Sequence, residues 1–160
     1  MMGVGKSTLG KIVAKKQKLN FIDTDVNIEH KCSMKVWEIF EKKGETFFRQ
    51  EEEKEVLESL KKKASVIALG GGAFLNEKVR NVILEKSISI WLDHDLKTIN
   101  ERLKWNKKRP LIQNGNTEEI INKLYEERKD IYKLANYKID CGNLAKKNIV
   151  EKIIDIYEKN

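Results

Sequence analysis

The sequence contains little proline, cysteine or arginine. Its single proline is Pro110, its two cysteines are Cys32 and Cys141, and only five of its 32 basic residues are arginine. The cysteines stand far apart and have none of the spacings of zinc sites or disulfide frameworks, so we expect free thiols in a reducing compartment. No Pro/Gly-rich linker divides the chain, which favours one continuous domain over residues 1–160.

Long apolar runs are also missing. No stretch approaches the roughly 18 apolar residues of a membrane span, and no charged-then-apolar leader is recognisable, so the sequence predicts a cytoplasmic protein with no membrane partner. The formal net charge is +7, but acidic and basic residues are interleaved, as on solvated helix faces. Neither an aromatic-plus-basic platform nor a basic tail is present, so we expect no nucleic-acid partner.

Apolar and amphipathic segments alternate along the chain in the order typical of βαβ units. Strands are predicted over 20–25, 65–72 (running into glycines), 87–93 and 137–140. Helices are predicted over 6–17, 26–32, 35–44, 47–63, 77–86, 95–105, 118–135 and near the C-terminus. This order predicts an α/β fold with a parallel sheet flanked by helices, and ligands at the C-terminal ends of the strands.

The N-terminal segment MMGVGKSTLGK has the composition of a phosphate-binding loop. Gly3 and Gly5 let backbone N–H groups turn inward around phosphate oxygens, Lys6 supplies a charge to the β- and γ-phosphates, and the Ser7 hydroxyl can bind Mg²⁺. We therefore predict that ATP is bound by Gly3, Val4, Gly5, Lys6, Ser7 and Thr8. The alternative is a glycine turn ahead of an ordinary helix.

The loop is incomplete at its start. The full pattern G-x-x-x-x-G-K-[ST] requires a glycine five places before Gly5, which lies ahead of Met1. Either the chain works without that glycine, or the natural protein starts upstream.

Two further motifs follow predicted strands. In FIDTD, Asp23 and Asp25 occupy alternate positions of an extended chain and point the same way, so one can lie near a metal and the other near a substrate hydroxyl. The alternative is that Asp25 or Thr24 caps the next helix. The run Gly70, Gly71 and Gly72 is costly in chain entropy and indicates close approach of a ligand to the backbone; the alternative is a tight turn.

The arginines form a third set of candidates. Where lysine dominates, the few arginines mark places that need a planar, bidentate guanidinium. Arg109 lies in a polar segment at about 106–117 that can close over a phosphate as a lid, or that is a solvated surface loop. Arg49 and Arg128 lie in predicted helices, where the alternative is a surface ion pair.

In order and spacing, GVGKST, FIDTD, FFRQEE, GGGAF, RPL and YEERKDIY resemble the shikimate kinases, small P-loop kinases of the nucleoside-monophosphate-kinase-like fold. The resemblance covers essentially the whole chain. It implies phosphorylation of the 3-hydroxyl of shikimate by ATP, a step in chorismate and aromatic amino-acid synthesis. It also implies ATP and Mg²⁺ as cofactors, shikimate as the small-molecule partner, and a monomer.

The resemblance assigns a role to each motif at the phosphate side. Lys6 and Ser7 hold the phosphates and Mg²⁺, and Asp23 supports the Mg²⁺ shell. Asp25 binds the ring hydroxyls and is the candidate to accept the hydroxyl proton. Arg109 supplies a cation over the transferring phosphate, so that Lys6, Asp25 and Arg109 form the catalytic set.

The resemblance also assigns the substrate side. Arg49 and Arg128 hold the shikimate carboxylate, and the glycine run 70–72 lies along the substrate, with Gly71 as the foremost contact. No residue is assigned to adenine.

In shikimate kinases a buried central strand precedes the position of Met1. We therefore expect the natural protein to start about ten residues upstream, since without that strand the neighbouring strands 20–25 and 65–70 would face unpaired edges or a different partner. Two other functions stay open: a related kinase for another small polyol or acid, such as gluconate, and a truncated, non-catalytic protein that binds nucleotide or serves as an interaction module.

Overall fold

The computed structural model describes residues 1–103 and 116–160. The helices of these ranges are α1 (Lys6–Gln17), α2 (Thr24–Cys32), α3 (Val36–Ser59), α4 (Glu77–Lys86), α5 (Leu96–Leu103), α6 (Thr117–Tyr132) and α7 (Lys146–Glu158), with a short 3₁₀ helix at Ala73–Leu75. The strands are β1 (Asn20–Asp23), β2 (Ser65–Ala68), β3 (Ile90–Asp93) and β4 (Tyr137–Asp140). Helix and strand alternate as the sequence predicts. Arg109 and nearly all of the predicted lid lie outside the described residues.

The strands form two parallel pairs. In the first pair, Asn20 lies opposite Ser65 and the register runs to Asp23 opposite Ala68. In the second, Ile90 lies opposite Tyr137. Across the two described ranges, β2 and β3 are not hydrogen-bonded to each other, so the predicted parallel sheet is present as two two-stranded sheets. β1 and β2 pair with each other, and within the described residues no strand lies at the second edge of either.

The first strand is shorter than predicted, which changes the geometry of the two aspartates. β1 ends at Asp23, and Asp25 lies in the first turn of α2. The prediction that the two carboxylates point the same way along an extended chain was wrong because the helix begins between them. Asp23, rather than Thr24 or Asp25, caps the helix by accepting a hydrogen bond from the Val26 amide.

The two helices predicted over 35–44 and 47–63 form one kinked helix. Gly44 interrupts α3 with φ 80° and ψ 166°, a conformation that glycine adopts without a steric penalty. The helix ends at Ser59, four residues earlier than predicted. The kink gives α3 two segments with different directions, the second of which carries Arg49.

The described apolar side chains form two clusters. The larger packs α1, α4, α5, α6 and α7 around the strands, and the smaller consists of Ile28, Ile39 and Phe48 between α2 and α3. The smaller cluster fixes the α2–α3 pair, and with it the position of Arg49, independently of the main core. No helix in the described ranges is both long and apolar enough to span a bilayer.

Candidate active site

The first part of the site is the turn that leads into α1. Gly3 and Gly5 have φ values of 74° and 90°, in the region that favours glycine. Gly5 occupies the N-cap position of α1 without a side-chain hydrogen bond. The first amides of the helix therefore point out of the turn, and the helix dipole adds partial positive charge, which together make an anion site. Lys6 folds back over the turn, and its Nζ donates to the Met1 carbonyl at 2.6 Å.

Val4 and Thr8 complete the predicted phosphate loop, and the structure places them differently. The side chain of Val4 is buried in the main core, whereas Thr8 is exposed on the first turn of α1. Val4 therefore anchors the loop by packing, and its contribution to a phosphate site is its backbone. Thr8 lies one residue after Ser7 at the open end of the helix.

Ser7 and Asp23 meet beside this turn. The Ser7 Oγ donates to Asp23 Oδ2 at 2.5 Å, while the other carboxylate oxygen of Asp23 caps α2. A hydroxyl and a carboxylate are oxygen ligands of the kind that Mg²⁺ takes, and Mg²⁺ usually keeps several waters and bridges to substrate phosphates. Within residues 1–103 and 116–160, no cluster of three or more His, Cys, Asp or Glu side chains is placed to hold a metal. These two side chains therefore suit a Mg²⁺ ion that is also bound by phosphate, and not a Mg²⁺ ion that is bound by protein groups alone.

Thr24 joins the aspartate motif to the glycine run. Its side chain is fully buried, its Oγ1 donates to the Ala68 carbonyl at 3.3 Å, and it accepts from the Gly70 amide at 3.1 Å. Both hydrogen bonds cross from the start of α2 to the end of β2. This one hydroxyl therefore fixes where the glycine run begins relative to Asp25.

Gly70 lies between two carboxylates. A Cβ atom added to Gly70 would fall 2.6 Å from Asp25 Oδ1 and nearer still to Glu52 Oε1, so neither carboxylate leaves room for a side chain. Glu52 is buried, and burial raises the pKa of its carboxyl, with the charge of Asp25 adding to the rise and that of Arg49 opposing it. The beginning of the glycine run is thus a place where two acidic groups converge.

Arg49 reaches the end of the run from α3. Its Nη1 donates to Glu52 at 2.7 Å, and its Nε and Nη2 donate to Glu45 at 3.1 and 2.8 Å. Burial by itself would lower the pKa of Arg49, but the carboxylates of Glu52 and Glu45 have the larger effect and raise this pKa, so the guanidinium stays positively charged. A Cβ atom on Gly72 would overlap the guanidinium. Arg49 thus forms ion pairs within its helix, but its partner Glu52 is buried, and the pair holds the guanidinium against the glycine run.

Arg128 reaches the middle of the run from α6. It is buried, and its Nη1 donates to the Gly71 carbonyl at 3.4 Å. Tyr132, one turn later, donates its hydroxyl to the same carbonyl at 2.5 Å, and burial raises the pKa of that hydroxyl. The alternative of a helix-surface ion pair is wrong for Arg128, because its side chain points into the protein.

The structure therefore gathers the predicted substrate residues around one loop. Asp25, Arg49 and Arg128 all meet the glycine run 70–72, although they come from three different helices. Ser7, Asp23 and Lys6 lie beside one another at the start of α1. Thr24 links the two groups, which makes them parts of one site.

Three residues of this site were not singled out from the sequence. Glu52 and Tyr132 hold Arg49 and the Gly71 carbonyl in place. Arg102 donates to the Gly3 carbonyl at 3.3 Å and lies 3.2 Å from His94 Nε2. The spacing of Arg49 and Glu52, three apart on a helix, was a signal for their ion pair. Tyr132 is the last residue of the motif YEERKDIY, and the scarcity of arginine applies to Arg102 as well, but neither signal indicates a contact with Gly71 or Gly3.

Comparisons with known proteins give the family. The model of the shikimate kinase family matches residues 2–158. A shikimate kinase of a Sulfurihydrogenibium species is 40% identical over 153 residues, which are 96% of this chain and 91% of that protein. One from Bartonella henselae is 38% identical over 154 residues, 96% of this chain and 73% of that protein.

Solved structures agree in fold. The shikimate kinase of Acinetobacter baumannii, solved in complex with shikimate, superimposes with a TM-score of 0.94 at 32% identity, covering 99% of this chain and 89% of its own. The shikimate kinase of Aquifex aeolicus gives a TM-score of 0.85 at 32% identity, and the match covers 99% of this chain and 92% of the Aquifex chain. The fold is accordingly that of a small P-loop kinase. On this evidence, the chain belongs to the shikimate kinase family.

Proposed function

We propose that this chain transfers the γ-phosphoryl group of ATP to the 3-hydroxyl of shikimate. The observation that carries the proposal is the convergence of Arg49 and Arg128 on the glycine run, beside the carboxylate of Asp25. Two guanidinium groups and a carboxylate lie against the same loop. The guanidinium groups suit the carboxylate of a small molecule, and the Asp25 carboxylate suits its hydroxyl groups.

The arginines supply the carboxylate site. A guanidinium presents a rigid fork of donors that matches a carboxylate, and lysine does not reproduce this geometry. Glu52 and Glu45 hold Arg49 in position, and the Gly71 carbonyl holds Arg128. Both guanidiniums are thus oriented before substrate arrives, which reduces the entropy lost on binding. The relative from A. baumannii was solved with shikimate, which supports this substrate class.

The turn before α1 supplies the phosphate site. Lys6 and the first amides of α1 neutralise the phosphate charge, and Ser7 and Asp23 are the residues that would hold Mg²⁺. Mg²⁺ held by these two residues would supply positive charge against the negative charge that develops on the transferring phosphate. We assign Arg109 to the same task from the lid side, as the resemblance to the family implies.

We assign the acceptance of the hydroxyl proton to Asp25. As the substrate oxygen bonds to the γ-phosphorus and the bond to ADP breaks, the hydroxyl proton passes to the Asp25 carboxylate, which releases it afterwards to water. The neighbouring carboxylate of Glu52 is engaged in an ion pair with Arg49 at 2.7 Å, and Glu52 is therefore assigned to orienting that guanidinium. The rest of the catalysis is positioning and charge neutralisation.

The test is shikimate-dependent release of ADP from Mg-ATP, and a coupled assay measures the ADP. We expect turnover with shikimate and none above background with gluconate. Arg128→Lys should raise the KM for shikimate about tenfold or more, because one point charge replaces a fork, with the KM for ATP unchanged. Arg80→Lys is the matched control, since Arg80 also donates from a helix to backbone carbonyls, those of Phe74 and Leu75, and not to those of the glycine run itself.

Two results would contradict the proposal. Equal ADP release with gluconate and shikimate would refute the substrate assignment. A folded protein that binds Mg-ATP without turnover would favour the non-catalytic alternative. The monomeric state and the cytoplasmic location stay predictions, checked by sedimentation and by cell fractionation.

A further inference from the structure

His94 is a buried histidine to which the proposed mechanism gives no role. It follows β3 directly, and its side chain is only 4% exposed. Its Nε2 lies 3.2 Å from Nη1 of Arg102, and its buried Nδ1 has no hydrogen-bond partner among the residues that the structure describes. The contact with Arg102 therefore determines which ring nitrogen carries the proton.

This contact requires an uncharged imidazole. A guanidinium has donors and no acceptor, so the Nε2 of His94 accepts the hydrogen bond and cannot carry a proton itself. The single proton of the neutral ring is then on Nδ1. Protonation of Nε2 would remove the acceptor and would place two positive charges 3.2 Å apart. The hydrogen bond from Arg102 and a proton on Nε2 of His94 thus exclude each other.

Arg102 connects this histidine to the phosphate turn. The nitrogen that contacts His94 carries two hydrogens, and it also donates to the Gly3 carbonyl at 3.3 Å. The next residue, Leu103, packs over the α-carbon of Gly3, since a Cβ atom added there would lie 3.2 Å from the Leu103 side chain. The last two residues of α5 therefore both hold Gly3.

The Gly3 carbonyl sets the direction of a neighbouring amide. This carbonyl and the N–H of Val4 belong to one trans peptide, because the described chain has no cis peptide bond. The two groups therefore point in opposite directions. The backbone of Val4 is among the groups that we assign to the phosphates, so a hydrogen bond that fixes the Gly3 carbonyl also fixes an amide of the anion site.

The charged groups around His94 have opposing effects. Burial and the charge of Arg102 lower the pKa of His94 below the ordinary value of 6.5, and the charges of Asp95, Asp93 and Asp140 act against them without reversing the shift. Among the described residues, none of these carboxylates is hydrogen-bonded to the ring, because Nδ1 has no partner and Nε2 faces Arg102. His94 is therefore uncharged at neutral pH.

The neighbouring carboxylates accept hydrogen bonds from other groups: Tyr125 and Lys138 donate to Asp93, Thr98 to Asp95, and the Gly142 amide to Asp140. Cys141, whose amide donates to the Asp93 carbonyl, is buried, and burial raises the pKa of its thiol to about 11. The thiol therefore stays uncharged. In this cluster, histidine is the residue type whose charge changes between about pH 5 and pH 8.

We propose that His94 is a positioning residue of the phosphate turn: while it is uncharged it holds Arg102 on the Gly3 carbonyl, and a proton gained by His94 releases Arg102 and weakens the binding of Mg-ATP. This inference rests on the proposed binding of ATP and adds to it a dependence on pH. As the pH falls through the pKa of His94, the affinity for Mg-ATP should fall about tenfold, the loss expected when a hydrogen bond from a charged group no longer holds the turn.

The test is calorimetric titration with Mg-ATP between about pH 8 and about pH 5, without shikimate. His94→Leu offers no acceptor, so at the upper pH it should bind Mg-ATP about tenfold more weakly than the wild type, with little further loss at the lower pH. His94→Gln keeps an acceptor that does not titrate. It should restore most of the affinity at the upper pH and should lack the loss that the wild type shows at the lower pH.

His30→Gln is the matched control. His30 is the other of the two histidines of the chain, and it is exposed on α2. This variant should keep the wild-type dependence of Mg-ATP affinity on pH. Protonation of the nucleotide itself is common to all four proteins, so the comparison between them removes it.

A second measurement uses the wild-type His94 and does not depend on whether His94→Leu folds. The ring signals of the two histidines can be followed by NMR as the pH is changed, with His30→Gln to assign them. Mg-ATP should lower the pKa of His94 further, because the coupling between proton and nucleotide acts equally in both directions. The signals of His30 should stay where they are.

Three outcomes would overturn the role of His94 and leave the proposed kinase function in place. The first is the same dependence of Mg-ATP affinity on pH in the wild type and in His94→Gln. The second is wild-type affinity in His94→Leu at the upper pH, and the third is a His94 titration curve that Mg-ATP leaves unchanged. In contrast, failure of the wild type to bind Mg-ATP at any pH would refute the proposed function, and this inference with it.

Discussion

Gly72→Ala should separate the position of Arg49 from the stability of the fold. Gly72 has φ −99°, which alanine adopts without strain. However, the added Cβ would overlap the Arg49 guanidinium, which lies at the end of a flexible side chain and can move. We therefore expect the substitution to displace the guanidinium while leaving the backbone in place.

The cost to substrate binding follows from the contact that is lost. A hydrogen bond to a charged group contributes about 1.5–3 kcal/mol, so the KM for shikimate should rise about ten- to hundredfold. The KM for ATP should stay near its original value, because Lys6 and Ser7 are held by other contacts. The readout is a coupled ADP assay with shikimate and ATP varied in turn.

The cost to folding is smaller. A displaced Arg49 leaves Glu52 buried without its ion pair, a penalty of about 1–3 kcal/mol that protonation of Glu52 limits. For a chain of this size, 1 kcal/mol shifts Tm by about 2–4 °C. We therefore expect Tm to fall by about 2–12 °C, with the protein folded at the assay temperature. Thermal unfolding followed by circular dichroism measures this shift.

A double-mutant cycle decides whether Gly72→Ala acts through Arg49. In an Arg49→Ala background, the Gly72 substitution should add little to the KM for shikimate, because the group it displaces is already gone. The reasoning would be refuted by an unchanged KM in the single variant, or by the same rise in KM with and without Arg49.

Three further predictions concern neighbouring groups. Ser7→Ala should raise the Mg²⁺ concentration needed for half-maximal activity at least severalfold, since it removes the hydroxyl beside Asp23; an unchanged Mg²⁺ titration would exclude Ser7 from the metal site. Folding raises the pKa of Glu52 above its ordinary value of 4.5, so between these two pKa values the folded state holds a proton that the unfolded state has lost. Stability should therefore fall as the pH rises from 4.5 through the raised pKa, and Glu52→Gln should flatten the plot of Tm against pH over this range. Thr24→Val should destabilise the protein by about 1–3 kcal/mol in urea, since it leaves the buried Gly70 amide without an acceptor, whereas a loss under 0.5 kcal/mol would mean that water replaces the hydroxyl.

Parts of the site were readable from the sequence because they depend on local chemistry. The glycines of the phosphate loop, the lysine and the serine form one continuous segment, so their spacing alone indicates an anion site. The scarcity of arginine made Arg49 and Arg128 stand out, and both reach the glycine run. In contrast, Asp25 was given the wrong backbone geometry, because whether a strand ends one or two residues sooner depends on what the following helix packs against.

The sequence by itself determined the order of helices and strands, the phosphate turn and the family, since each of these is set by residue type and spacing along the chain. Only the tertiary structure decided that Thr24 locks the glycine run, that Glu52 orients Arg49 beside Gly72, and that Arg128 and Tyr132 both donate to the Gly71 carbonyl. These features join residues that are up to 61 positions apart, as Gly71 and Tyr132 are. Such contacts are set by how whole elements pack, because burial and charge act through space and not along the chain.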